Sequence, residues 1–212
     1  MRLFVAINFK GGTPERLTAL GNELSARSAH GNFTPTENMH LTVVFLGECD
    51  ESRTAAAKAA LAETEFKPFD IEIDYVGRVK RAGSGDIWWA GVKTGKPLLD
   101  LRRAVCEKLT AAGFPLENPT YRHGKTPARR HTGRTDDPAA ERASFEARVY
   151  APHITLGRGV TTDFEPKRIN PFGETVTEID LMRSDMLNGG LVYTSIYRRG
   201  TRRVIPDNPF AA

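Results

Sequence analysis

Alternating apolar and polar positions divide this 212-residue chain into short strand-like runs and longer runs of helical period. The opening Arg2-Leu3-Phe4-Val5-Ala6-Ile7-Asn8 predicts a strand. Thr13-Pro14-Glu15 then offers an N-cap, a proline at the first helical position and an acidic first turn, predicting a helix to about residue 29. A strand is expected over 39–46, with Leu41, Val43 and Phe45 covering its buried face. Asp50 or Ser52 caps an Ala-rich helix to about residue 65, and 69–79 alternates like a strand. A second round begins with a strand over 86–92 containing Trp88 and Trp89. A helix follows over 96–112, with Leu98, Leu101, Val105 and Leu109 at helical spacing, and Gly113 stops it. A strand over 151–158 comes next. Two last strands, roughly 175–187 and 191–198, are joined by Asn188-Gly189-Gly190, a strong hairpin signal.

The order strand, helix, strand thus occurs twice, the second time with a longer interval. Its excess lies in residues 118–143, which are rich in Gly, Pro, Arg and Thr and have no apolar periodicity. This segment reads as a basic surface loop inserted into a duplicated plan. The expected fold is α/β in the α+β sense: one bilobal domain over 1–212, with two antiparallel-type sheets facing a central groove and helices outside.

Composition narrows the class without naming it. A 40% apolar share is that of an ordinary globular protein, and a net charge of +4 is compatible with an anionic substrate. Cys49 and Cys106 form no Cys-x-x-Cys arrangement, so neither a disulfide framework nor a zinc finger is indicated. The opening apolar run is too short for a signal-peptide core, and no later run approaches a membrane span. The expectation is a cytoplasmic monomer.

Candidate chemistry sits in two triplets, His40-Leu41-Thr42 and His153-Ile154-Thr155, each inside a predicted strand. Successive side chains of a strand point to opposite faces, so the His and Thr of each triplet share one. No third His-x-Thr triplet occurs. Either histidine alone reads as a satisfied core residue at a strand start. Two such strands brought together would present a general acid, a general base and two hydroxyl donors, a set suited to moving protons around a phosphodiester.

Arg2-Leu3-Phe4-Val5-Ala6-Ile7, Glu37-Asn38-Met39-His40-Leu41-Thr42 followed by Phe45-Leu46-Gly47-Glu48, and Pro152-His153-Ile154-Thr155-Leu156-Gly157-Arg158 together resemble the two-histidine phosphoesterase superfamily. Within it the chain is most similar to the RNA 2′,3′-cyclic phosphodiesterases, also called bacterial 2′-5′ RNA ligases. Ser184, Leu187, Gly190 and Tyr193 resemble that group's C-terminal hairpin. The resemblance implies a metal-free, cofactor-free site in a central groove that opens a 2′,3′-cyclic phosphate end of RNA, or a cyclic nucleotide, to a 2′-phosphate. It makes His40 the donor to the leaving 3′ oxygen, His153 the acceptor that activates water, and Thr42 and Thr155 donors to the phosphate oxygens. The symmetry of the sequence cannot itself tell donor from acceptor.

Weaker candidates for substrate binding are Phe33, Arg158 and Tyr193. Phe33 stands where relatives often carry Trp, and a core role competes with base stacking there. Strict alternation puts Arg158 on the face opposite His153, unless the strand bends at Gly157. Between Arg122 and Thr135 the inserted loop carries five Lys or Arg, His123 and His131, and no acid. It reads as a solvated insertion, with an RNA-backbone arm as the alternative; the basic run Arg198–Arg203 is equally ambiguous. Competing functions are hydrolysis of a 2′-5′ oligonucleotide or an ADP-ribose cyclic phosphate, and a non-catalytic RNA-binding module.

Overall fold

The computed structural model describes residues 1–116, 150–187 and 189–201. In chain order the elements are strand β1 (Arg2–Asn8), helix α1 (Thr13–Ala26), β2 (Ser28–Phe33), a 3-10 turn (Thr36–Asn38), β3 (His40–Glu48), α2 (Glu51–Ala62), β4 (Phe69–Val79), β5 (Asp86–Val92), α3 (Lys96–Ala111), β6 (His153–Thr162), β7 (Lys167–Val176), β8 (Glu178–Leu187) and β9 (Gly190–Gly200). Two antiparallel sheets result, one ordered β3-β1-β8-β9 and the other β2-β6-β5-β4-β7. The main apolar core runs through both sheets and all three helices, from Leu3 and Leu41 to Leu17, Leu61, Trp88, Val105 and Ile154, and a smaller cluster joins Phe4, Ala6 and Met182. The inserted segment 118–143 and residues Arg202 and Arg203 lie outside the described residues.

Both rounds of the predicted plan are present. Each histidine strand pairs antiparallel with the strand that opens its round, β1 with β3 and β5 with β6. The halves are not contiguous lobes, however. The first sheet is completed by β8 and β9, while β2, from the first half, edges the second sheet.

Several boundaries differ from expectation, some for identifiable physical reasons. Thr13 is not the cap of α1. It lies inside the first turn after Gly12, with its side chain buried. The helix also stops at Ala26, three residues early, because Ser28–Phe33 turns to pair with β6. That strand is mostly exposed and carries no alternation, so it gave no periodic signal. β7 was hidden by Pro171 and Gly173, which it tolerates as an edge strand. Thr175 and Val176 close β7 rather than opening β8, and the chain changes sheets at Thr177.

Elsewhere the local chemistry is as expected. The Asp50 carboxylate accepts from the Arg53 amide at 2.8 Å and caps α2. Leu98, Leu101, Val105 and Leu109 are all buried along α3, and Gly113 follows at φ 83°. β8 and β9 pair out to Leu187↔Gly190, with Gly189 at φ 81°.

Candidate active site

His40 opens β3 and His153 opens β6. Each histidine ring is held in the same way. Nδ1 of His40 lies 2.8 Å from the carbonyl oxygen of Asn38, and Nδ1 of His153 lies 2.8 Å from that of Ala151. A carbonyl can only accept, so each Nδ1 carries a proton and proton exchange falls to Nε2. Nε2 of His40 lies 3.0 Å from the Thr42 hydroxyl, which donates to it while the ring is neutral. The two strands approach each other. The buried Tyr150 hydroxyl, just before β6, ties them by donating to the Thr42 carbonyl at 2.7 Å.

A shared irregularity shapes both strands. On β3 the pairing with β1 steps from Ala6↔Thr42 to Val5↔Val44, leaving Val43 as an extra residue. On β6 the pairing with β5 steps from Trp89↔Thr155 to Trp88↔Gly157, leaving Leu156 extra. Each bulge falls directly after the Thr of its triplet, and it reverses the alternation that follows. Arg158 is thereby returned to the side of Thr155, with its guanidinium 3.4 Å from that hydroxyl. Phe45 is turned out of the core where simple alternation had placed it. It is 52% exposed and pairs with Phe4 beside His40. Phe45 and Arg158 are thus equivalent positions in the two triplet strands.

The His40 ring is boxed by aromatics, 4.8 Å from the Phe4 ring and edge-on to Tyr193 at 5.1 Å. Burial lowers its pKa below the usual 6.5, the Asn38 carbonyl opposes that, and the positive charges of His153 and Arg158 lower it further. The Tyr150–Thr42 bond and the approach of β3 to β6 bring the two triplets together. Asn38 also fixes this arrangement from behind, donating its side-chain amide to the Leu191 carbonyl on β9 at 2.7 Å. Beneath lies Asp180, 0% exposed, accepting from the Asn8 amide (2.9 Å), the Ser195 hydroxyl (2.5 Å) and Arg198 Nε (2.9 Å). Asn8 is the register partner of His40.

Of the weaker candidates, Arg158 and Tyr193 stand with the histidines. Phe33 packs against the core, near Val160, a setting that suits support of the sheet. Arg198 and Arg199 are engaged by Asp180 and by the Thr64 carbonyl. Among the described residues, no group of three or more His, Cys, Asp or Glu is placed to hold a metal ion, and no helix is long and apolar enough to cross a membrane. Phe45, Asn38 and Asp180 were missed as site residues. Only the bulges and long-range pairing bring them there, and Gly157 is the single local hint of either.

Comparison with known proteins agrees with this fold. Residues 9–89 match the family model described as LigT like Phosphoesterase. An RNA 2′,3′-cyclic phosphodiesterase of Archaeoglobus fulgidus is 39% identical over 114 residues, which are 54% of this chain and 64% of that protein. Another with the same name, from Methanothermobacter thermautotrophicus, is 23% identical over 92% of this chain and 96% of its own length. A crystal structure of E. coli LigT complexed with 3′-AMP superposes with a TM-score of 0.65 at 20% identity, covering 95% of this chain and 98% of that one, and so shares the fold. With its paired triplets, its two antiparallel sheets and these relatives, the chain is similar to the LigT-like, two-histidine phosphoesterases.

Proposed function

We propose that this protein hydrolyses the 2′,3′-cyclic phosphate of an RNA end or a nucleoside to the 2′-phosphate, by acid–base catalysis between its two histidines and without a metal. The observation that carries the reading is the repeated geometry: two His-x-Thr strands, each with Nδ1 tied to the carbonyl two residues back and each bulged directly after the Thr. Binding alone has no need of a matched pair of proton carriers. The names of the relatives support the substrate class.

In this mechanism Nε2 of His153 takes a proton from water as the water oxygen bonds to phosphorus. The bond from phosphorus to O3′ breaks, and O3′ receives a proton from Nε2 of His40, leaving the phosphate on O2′. Thr42 turns its hydroxyl from His40 to a non-bridging oxygen once the ring is protonated. Thr155 and Arg158 hold the other oxygen as charge develops. In the unliganded protein the lowered pKa of His40 keeps it neutral at pH 7. An anionic phosphate beside the ring opposes the charges of Arg158 and His153 and raises that pKa again, so substrate arms its own acid. We further infer a monomer in a reducing cytoplasm, in keeping with the absence of a disulfide between Cys49 and Cys106.

The test is turnover of a 2′,3′-cyclic mononucleotide with EDTA present. Undiminished hydrolysis supports the reading, and loss of activity that returns on adding a divalent cation overturns its metal-free part. Thr42→Val or Thr155→Val is expected to cost about tenfold in kcat/KM, the worth of one neutral hydrogen bond.

A further inference from the structure

We infer that the second sheet carries a nucleotide subsite reaching outward from His153, built from Trp89, Tyr75 and Arg168 and fitted to single-stranded RNA preceding the cyclic end. This rests on the proposed function above and deepens it by assigning length preference to particular residues.

Cross-strand partners of an antiparallel sheet share a face. His153 pairs with Gly91, Gly91 with Tyr75, and Tyr75 with Arg168, which runs one row from β6 across β5 and β4 to β7. The adjacent row is Thr155, Trp89 and Gly77. Both rows therefore share the face of the two catalytic side chains. Arg168 stands three strands from His153, roughly 14 Å away at about 4.8 Å per strand. That is beyond a mononucleotide's phosphate but within reach of a longer strand.

The indole of Trp89 lies over this surface because two residues lack side chains. A Cβ on Gly77 would come within 2.4 Å of Trp89 Cζ2, and one on Gly91 within 3.0 Å of its Cζ3. Between them the ring rests along the sheet and is only partly buried, whereas its neighbour Trp88 is wholly in the core. From His153 the Trp89 ring is 6.2 Å away, the Tyr75 ring is 5.7 Å further, and the Arg168 guanidinium sits 5.7 Å from the centre of the Tyr75 ring. Asp74 pairs with Arg168, whose side chain is still 76% exposed. Aromatic faces followed by a cation are what bases and a backbone phosphate need, and such stacking tolerates any base.

The experiment compares a 2′,3′-cyclic mononucleotide with a trinucleotide ending in the same cyclic nucleotide. Wild-type protein is expected to show the lower KM for the trinucleotide. Tyr75→Leu should raise the ratio of trinucleotide to mononucleotide KM by about 5- to 100-fold. Tyr75→Phe should keep the wild-type ratio, because stacking needs the ring and not the hydroxyl. Arg168→Glu, at an exposed position, should raise the ratio and flatten its dependence on salt. If both substrates turn over and these ratios stay at the wild-type value, the subsite is overturned and Trp89 and Tyr75 merely cover the sheet. If wild type turns over neither substrate, the proposed function fails and the subsite with it.

Discussion

Alanine at His40 or at His153 is expected to lower turnover of a 2′,3′-cyclic nucleotide by about 10²–10⁴-fold, with the fold intact. Both side chains project from strand starts on the face away from the main core, so their removal opens no large cavity. The residual rates should also separate the two roles. An acid must be protonated, and burial with the nearby His153 and Arg158 charges lowers the His40 pKa. Its contribution to kcat/KM is therefore lost as pH rises through a value below 6.5. In kcat the same limb should lie at higher pH, because bound phosphate stabilises the protonated ring. A base must be neutral, so the contribution of His153 is lost as pH falls. His153→Ala should retain only the limb that falls with rising pH, and His40→Ala only the limb that rises. The opposite pairing of limbs would exchange the two assignments, and wild-type-like turnover in either folded variant would remove that histidine from the chemistry.

Asp180→Ala is expected to lower stability by about 2–3 kcal/mol, since it strips a fully buried carboxylate from three donors on β1 and β9. The cost stays below that of a stranded buried charge because Arg198 is half exposed and keeps Glu178 at 3.2 Å. At about 2–4 °C per kcal/mol for a chain of this size, Tm should fall by roughly 5–10 °C. Asn8, the cross-strand partner of His40, loses its anchor in the same variant. Thermal unfolding checks the first effect, and an unchanged Tm would mean the network does not hold these strands together.

How far the sequence revealed these features depended on whether they were local. The strands and helices whose apolar positions recur at period two or at helical spacing, such as β1, β3 and α3, were visible because one face of each meets the core. β2 and β7 were not, because their pairing partners decide them: the first is mostly exposed, and the second carries a proline and a glycine that argue against a strand. The triplets made His40, Thr42, His153 and Thr155 legible. The same alternation then misplaced Phe45 in the core and set Arg158 on the wrong face. The extra residue directly after each triplet, Val43 or Leu156, corrects both, and neither side chain differs from its neighbours in a way that marks a bulge. Gly157 was the single hint. Trp89 reads as a strand aromatic, and only the Gly77 and Gly91 gaps and the cross-strand rows show the face it shares with Tyr75.

The most direct measurement is phosphorus NMR of a 2′,3′-cyclic nucleotide incubated with the full chain and EDTA, beside the His40→Ala, His153→Ala double variant. The account predicts that wild-type protein replaces the cyclic resonance with that of a 2′-monophosphate alone, while the double variant leaves the substrate unchanged. A 3′-monophosphate product, or conversion that persists in the folded double variant, would contradict it.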